Sequence, residues 1–267
     1  MAVTRKLPPL RGILAVDAVR FSKNPSRPLP ELSAAIPQVL AEAFHRCDLS
    51  EVWSARRFPQ GTGDGFMLGV PHEDVPYLLY PLLDTLQEVL EEHDERLRAQ
   101  SRTLRLRLRV AVNAGAVPDD GGDPRDGIGT PTNDTFRLLD SRPVRDAMAN
   151  SNPDVTLLAA IVSERVFQEA VVAGFTGDLH PDRFERVTAE VEEKAFAQPA
   201  YLYVPKPSGK GGHDARGTDG GPPGTSSAAQ SAPPAGSSVT TIHGNAGNSI
   251  SGGTFTGNVQ QSGGALP

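Results

Sequence analysis

Asp17 closes a short apolar run, residues 12–16, and Asp64 sits inside a glycine-rich turn, residues 61–65, between two further apolar stretches. Carboxylates at a strand end and at a hairpin tip can converge on hard divalent cations, which take oxygen ligands. Two such carboxylates suit phosphoryl chemistry, in which metal ions neutralise charge on phosphate oxygens. An Asp-Gly pair is also the commonest hairpin signal, so Asp64 taken alone reads as a turn residue ahead of a ligand.

The elements that must position these residues follow from periodicity. Residues 12–16 read as a buried strand and residues 32–44 as a helix. Residues 52–58 and 66–70 read as strands flanking the glycine-rich turn, and a long helix is predicted over 75–100. Over 104–112 leucine and valine alternate with Arg105, Arg107 and Arg109, which predicts a strand with an apolar inner face and a solvated outer one; no aromatics interleave with the arginines as a nucleic-acid surface would require. A helix over 132–139, a strand over 155–162, a helix over 163–171 and strands over 184–191 and 200–204 complete the pattern. The sum is an α+β fold, a mostly antiparallel sheet with helices on one face. The acidic stretch 118–126 reads as a solvated loop, with an extra metal site as the alternative.

Charge and composition narrow the partners. With 26 Lys and Arg against 32 Asp and Glu the formal charge is −6, which gives no basic field for nucleic acid. Cys47 is the only cysteine, so an intramolecular disulfide or a cysteine-rich zinc site is excluded and a reducing compartment fits; its place in a helical apolar pattern suggests packing. The first residues lack the apolar core of a signal peptide, and the longest apolar stretch, residues 155–162, is too short to span a bilayer. The expectation is a soluble, cytoplasmic protein without a membrane partner.

After Val204 the composition changes. Residues 208–267 hold 15 of the 27 glycines, and no charged residue follows Asp219. So little apolar mass cannot offset the entropy of ordering a core. The division predicted is a folded domain over 10–205, a flexible Gly/Ser/Ala/Pro linker over 206–238 and a distinct tail over 239–267. The tail is uncharged, free of proline in its main run, and carries Ile242, Ile250, Phe255 and Val259 among Asn and Gln residues that can form ladders in stacked strands.

Four motifs in order resemble the class III nucleotidyl cyclases. Asp17 followed by Phe21 and Ser22 looks like their strand-end motif, and residues 62–66 around Asp64 look like their Gly-Asp hairpin. Asp126, Gly129, Asn133 and Arg137 match the family's later Asp, Gly, Asn and Arg. The resemblance implies a ferredoxin-like core, two Mg²⁺ or Mn²⁺ ions held by Asp17 and Asp64, and a nucleoside triphosphate substrate. It also implies that Asn133 positions the nucleotide, that Arg137 stabilises phosphate charge, and that Gln60 and Asp126 contact the base. Sites shared across a head-to-tail homodimer are likewise implied. Gln60 stands where adenylyl-type enzymes carry a lysine, and Ile128 where many carry tryptophan; an amide both donates and accepts, so the base is left open. The product expected is a cyclic nucleotide messenger. The alternative is a catalytically silent sensor or adaptor.

Residues 248–263 resemble bacterial amyloid signalling motifs of the RHIM-like kind, which template onto a matching motif in a partner protein; a plain disordered tail is the other reading. Tail-driven assembly would raise the local concentration of domains that need to pair.

Overall fold

The computed structural model describes residues 6–19, 29–101 and 104–209. Phe21 and Ser22 of the strand-end motif, nearly all of the linker and the whole of 239–267 lie outside these residues. Among the described residues no helix is long and apolar enough to cross a membrane.

Seven strands form one sheet in the order β2-β3-β1-β4-β5-β7-β6. They are β1 (Leu10–Ala18), β2 (Arg57–Gly61), β3 (Gly65–Pro71), β4 (Leu108–Ala116), β5 (Leu158–Ser163), β6 (Phe184–Val191) and β7 (Phe196–Tyr203). The helices are α1 (Leu29–Arg46), α2 (Ser50–Ser54), α3 (Val75–Leu79), α4 (Leu82–Gln100), α5 (Thr130–Asp140), α6 (Arg142–Asn150) and α7 (Glu164–Val166), the last continued by a π-helical turn over Phe167–Val172.

From β1 to β4 the chain runs strand, helix, strand, strand, helix, strand, with antiparallel β1–β3, β1–β4 and β2–β3 pairs. That is the ferredoxin-like arrangement. β5 extends it by a parallel pair with β4, reached by a crossover through α5 and α6, and the β6–β7 hairpin adds antiparallel strands beyond β5.

Two cores flank the sheet. Leu14, Val16, Leu108, Val110 and Val112 pack with Ile36, Leu40 and Phe44 of α1 and Leu82, Leu83, Leu86 and Leu90 of α4. The spacing of these helical residues, three and four apart, is that of a single buried stripe. The helices of the ferredoxin-like half thus lie on one face, as expected. The opposite face carries Ile13, Ala15, Met67, Ala111, Ala159 and Ile161, covered by Leu138 and Leu139 of α5 and Val144 and Met148 of α6. Coverage on both faces explains why residues 13–16 are a continuous apolar run rather than an alternating one.

Several expectations are corrected. The arginines of 104–112 are not on a solvated face, because α6 and the segment after it cover that side. Arg105 pairs with Asp154, Arg107 donates to the Thr156 carbonyl at 2.9 Å and to Ser151 at 2.8 Å, and Arg109 reaches Asp17. A charge under a helix layer needs such partners. The strand there begins at Leu108, not Leu104. The helix expected over 75–100 is two, broken at Tyr80–Pro81, where proline cannot donate to the preceding turn. Residues 50–54 are helical, so the first hairpin strand starts only at Arg57. α6 was not expected; its apolar stripe is only Val144 and Met148.

Residues beyond β7 pack back onto the domain. The Lys206 carbonyl accepts from the Thr156 hydroxyl at 2.7 Å, its ammonium meets Glu91 at 2.9 Å, and Ser208 accepts from the Asn152 N–H at 3.0 Å.

Candidate functional site

Asp17 stands at the end of β1, between Gly65 of β3 and Arg109 of β4 in the sheet register. The neighbouring hairpin tip is tied to it by the Ala18 N–H, which donates to the Asp64 carbonyl at 2.8 Å. This approach requires glycine at 65: a Cβ there would come within 2.4 Å of the Val16 carbonyl oxygen. Thr62 N–H donates to the Gly65 carbonyl at 3.0 Å and closes the turn. The structure therefore brings the two carboxylate-bearing residues to one end of two paired strands.

Their states differ. Arg109 donates to both oxygens of Asp17, at 2.8 and 2.5 Å, with each side chain 16% exposed. Burial, opposed by Arg109 and reinforced by the charges of Asp64 and Asp140, raises the Asp17 carboxyl to about 6. The influence of Asp64 marks the two carboxyls as electrostatic neighbours. Asp64 itself is exposed and makes no side-chain hydrogen bond or ion pair among the described residues.

Asn133 and Arg137 lie one turn apart on α5, on the other side of the sheet from α1 and α4. Asn133 is exposed and its amide makes no hydrogen bond among the described residues. Arg137 donates to Asp134 at 2.8 Å and its guanidinium lies 5.7 Å from the Phe196 ring centroid. Gln60, near the end of β2, is exposed with an uncommitted amide among the described residues.

Asp126 is engaged within its own loop. Its carboxylate accepts backbone N–H groups of Asp120 at 2.8 Å, Gly122 at 2.7 Å and Asp123 at 3.0 Å, and these bonds hold it below the usual carboxylate range. Asp119, in the stretch expected to be a solvated loop, is instead only 2% exposed and lies between Arg11 at 2.6 Å and Arg57 at 2.6 Å. Burial pushes its carboxyl up, but the two guanidiniums outweigh that and hold it below the ordinary value.

Sequence reasoning missed two residues of this region. Arg109 left no local signal, since only the β1–β4 register sets it opposite Asp17. Asp119 left none either, since only the fold places Arg11 and Arg57 around it.

Among the described residues no group of three or more His, Cys, Asp or Glu could hold a metal ion. The protein donors at the β1 end are thus two carboxylates, which suits Mg²⁺ or Mn²⁺ completing their shells with water and other oxygen ligands. The residues present fit such ions, provided Asp17 shares or exchanges its Arg109 contact.

No family model and no curated protein matches the chain. Among solved structures it is similar to the adenylyl cyclase CyaB from P. aeruginosa, at 16% identity over 73% of this chain and 92% of that one, TM-score 0.45. It is similar to the guanylyl cyclase Cya2 at 15% identity over 77% and 95%, TM-score 0.46. A bacterial light-regulated adenylyl cyclase matches at 14% identity over 76% of this chain and 53% of that one, TM-score 0.48.

Proposed function

We propose that this domain is a nucleotidyl cyclase that works as a homodimer. The observation that carries this reading is the meeting of Asp17 and Asp64 at one end of the ferredoxin-like core, with Asn133 and Arg137 together on α5, the helix that covers the sheet face shared by Asp17 and Arg109. A site completed by a second copy, one chain giving the carboxylates and the other the amide and guanidinium, is what the cyclase resemblance implies.

The reaction is intramolecular. The ribose 3′-oxygen forms a bond to the α-phosphorus while the bond from that phosphorus to the bridging oxygen breaks, giving a cyclic monophosphate and pyrophosphate; the hydroxyl proton passes to solvent. Asp17 and Asp64 would hold divalent ions, which would supply charge neutralisation on the triphosphate. Arg137 turns from Asp134 toward the phosphates, Asn133 orients the nucleotide, and Gln60 meets the base. The catalytic gain is electrostatic and positional.

The test is to incubate full-length protein with Mn²⁺ and each of ATP, GTP, CTP and UTP, beside Asp64→Ala, and to look for cyclic nucleotide and pyrophosphate by mass spectrometry. Product lost in the variant supports the reading; none from any nucleotide at high protein concentration removes it.

A second reading, a silent sensor or adaptor, is favoured by one observation: both Asp17 oxygens are engaged by Arg109. It requires nucleotide binding without product. In either case we assign residues 239–267 the role of gathering chains through a matching motif, in bacterial signalling or defence. Deleting them then lowers activity at nanomolar protein but not at concentrations that force pairing; equal activity at both would remove this role.

A further inference from the structure

The two positions that the cyclase resemblance gives to the base differ in what they can offer a ligand. A carboxylate has about four lone-pair directions, and Asp126 has given three to the N–H groups of Asp120, Gly122 and Asp123. Among the described residues Gln60 has its whole amide available.

The Asp126 loop is also fastened to the strand that carries Gln60. Asp119 takes the Arg57 guanidinium through contacts of 2.6 to 2.9 Å. The loop closes where the Gly127 N–H donates to the Pro118 carbonyl at 2.8 Å. Gly127 then forms one wall of a slot for the Phe58 ring, with Gly69 as the other: a Cβ at these positions would come within 2.5 and 2.1 Å of that ring. Phe58 has φ 36°, a left-handed conformation that a bulky residue keeps only when its surroundings hold it. The pairing of β2 with β3 shifts register between Arg57 and Gln60, so the segment leading to Gln60 is bulged and held from the loop side.

We propose that Asp126 is a positioning residue that sets Gln60 through the 118–127 loop, and that the Gln60 amide alone reads the base. The inference rests on the cyclase reading. A single rotatable amide can donate to or accept from any base edge, so the substrate class is nucleoside triphosphates with selectivity within about tenfold, the worth of one neutral hydrogen bond.

The test uses full-length protein and two measurements. Calorimetry with Ca²⁺ and each of ATP, GTP, CTP and UTP gives binding preferences without turnover. Hydrogen exchange without nucleotide follows the amides of Asp120, Gly122 and Asp123, with β1 and β4 amides as a control for folding. Asp126→Asn is expected to speed exchange of the three loop amides by about tenfold or more and to weaken all four nucleotides by a common factor, leaving their order intact. Gln60→Ala leaves loop exchange unchanged and flattens the preference. Phe58→Ala, which uncouples strand from loop, reproduces the common weakening while the loop amides stay protected, and serves in place of Asp126→Asn should that variant not fold. A change in base preference of tenfold or more in Asp126→Asn with normal loop exchange overturns the proposal, because Asp126 would then be reading the base. If wild-type protein binds no nucleotide, the cyclase reading fails and the base assignment with it; unaltered loop exchange in Asp126→Asn refutes the positioning role independently.

Discussion

At the end of β1, Asp17 is held by one arginine while its neighbour Asp64 stays open to solvent; in the loop after β4, Asp119 is enclosed by two arginines and Asp126 by three backbone N–H groups. Both regions are acidic and both follow a central strand. The first leaves donor capacity for an outside cation. The second has turned its carboxylates inward to hold a loop and, through Arg57 and Phe58, a strand. The number of partners a carboxylate already has separates the two roles better than its exposure: Asp126 lies in an exposed loop and is nonetheless committed.

The sharpest way to break this contrast is at Asp64. Asp64→Asn is expected to lower cyclic nucleotide formation by about a thousandfold, near 4 kcal/mol in the barrier, with the thermal midpoint unchanged; a shifted midpoint would make Asp64 structural like its counterparts in the loop. Asp119→Asn should show the reverse balance. Removing the charge leaves Arg11 and Arg57 facing a neutral group, at a cost of about 2–3 kcal/mol in stability by chemical denaturation.

The pH dependence sharpens the same comparison. The lowered Asp119 value means that the unfolded chain binds this proton first, so its stabilisation is full above the ordinary carboxylate range, about 4, and is lost as pH falls through the folded value. Asp17 runs the other way: with a value raised to about 6, its contribution declines as pH rises from about 4 to 6. Asp119→Asn should therefore flatten the loss of stability below pH 4 and leave the pH 4–6 range as it was, measured by denaturant titration at each pH. The smallest effect is expected at surface pairs such as Arg142–Asp146, 3.3 Å apart and exposed, where Arg142→Ala should change stability by less than about 1 kcal/mol.

Much of the fold was legible because the apolar pattern is strong where burial is complete: residues 12–16, the stripes of α1 and α4, and the strand over 184–191, whose bounds match β6. What escaped depended on contacts distant in sequence. α6 buries only two apolar side chains, too few to mark a period. The arginines of β4 look solvent-facing in sequence because nothing local announces that α5 and α6 return over them. Of the candidate site, the sequence motifs pointed to six residues, and the structure adds which polar groups remain available: Gln60, Asp64 and Asn133 are open, whereas Asp17, Asp126 and Arg137 have partners. Availability is a tertiary property and leaves no mark in spacing.

The most direct measurement mixes two inactive proteins. Asp64→Ala lacks a carboxylate and Arg137→Ala lacks the guanidinium of α5; each alone should give no cyclic nucleotide with Mn²⁺ and the preferred triphosphate. If one site is built from both chains, an equimolar mixture contains heterodimers with one intact site, and mass spectrometry should show product returning. A mixture as silent as its components, under conditions where the wild-type protein is active, would contradict a site shared between Asp17 and Asp64 of one chain and Asn133 and Arg137 of another.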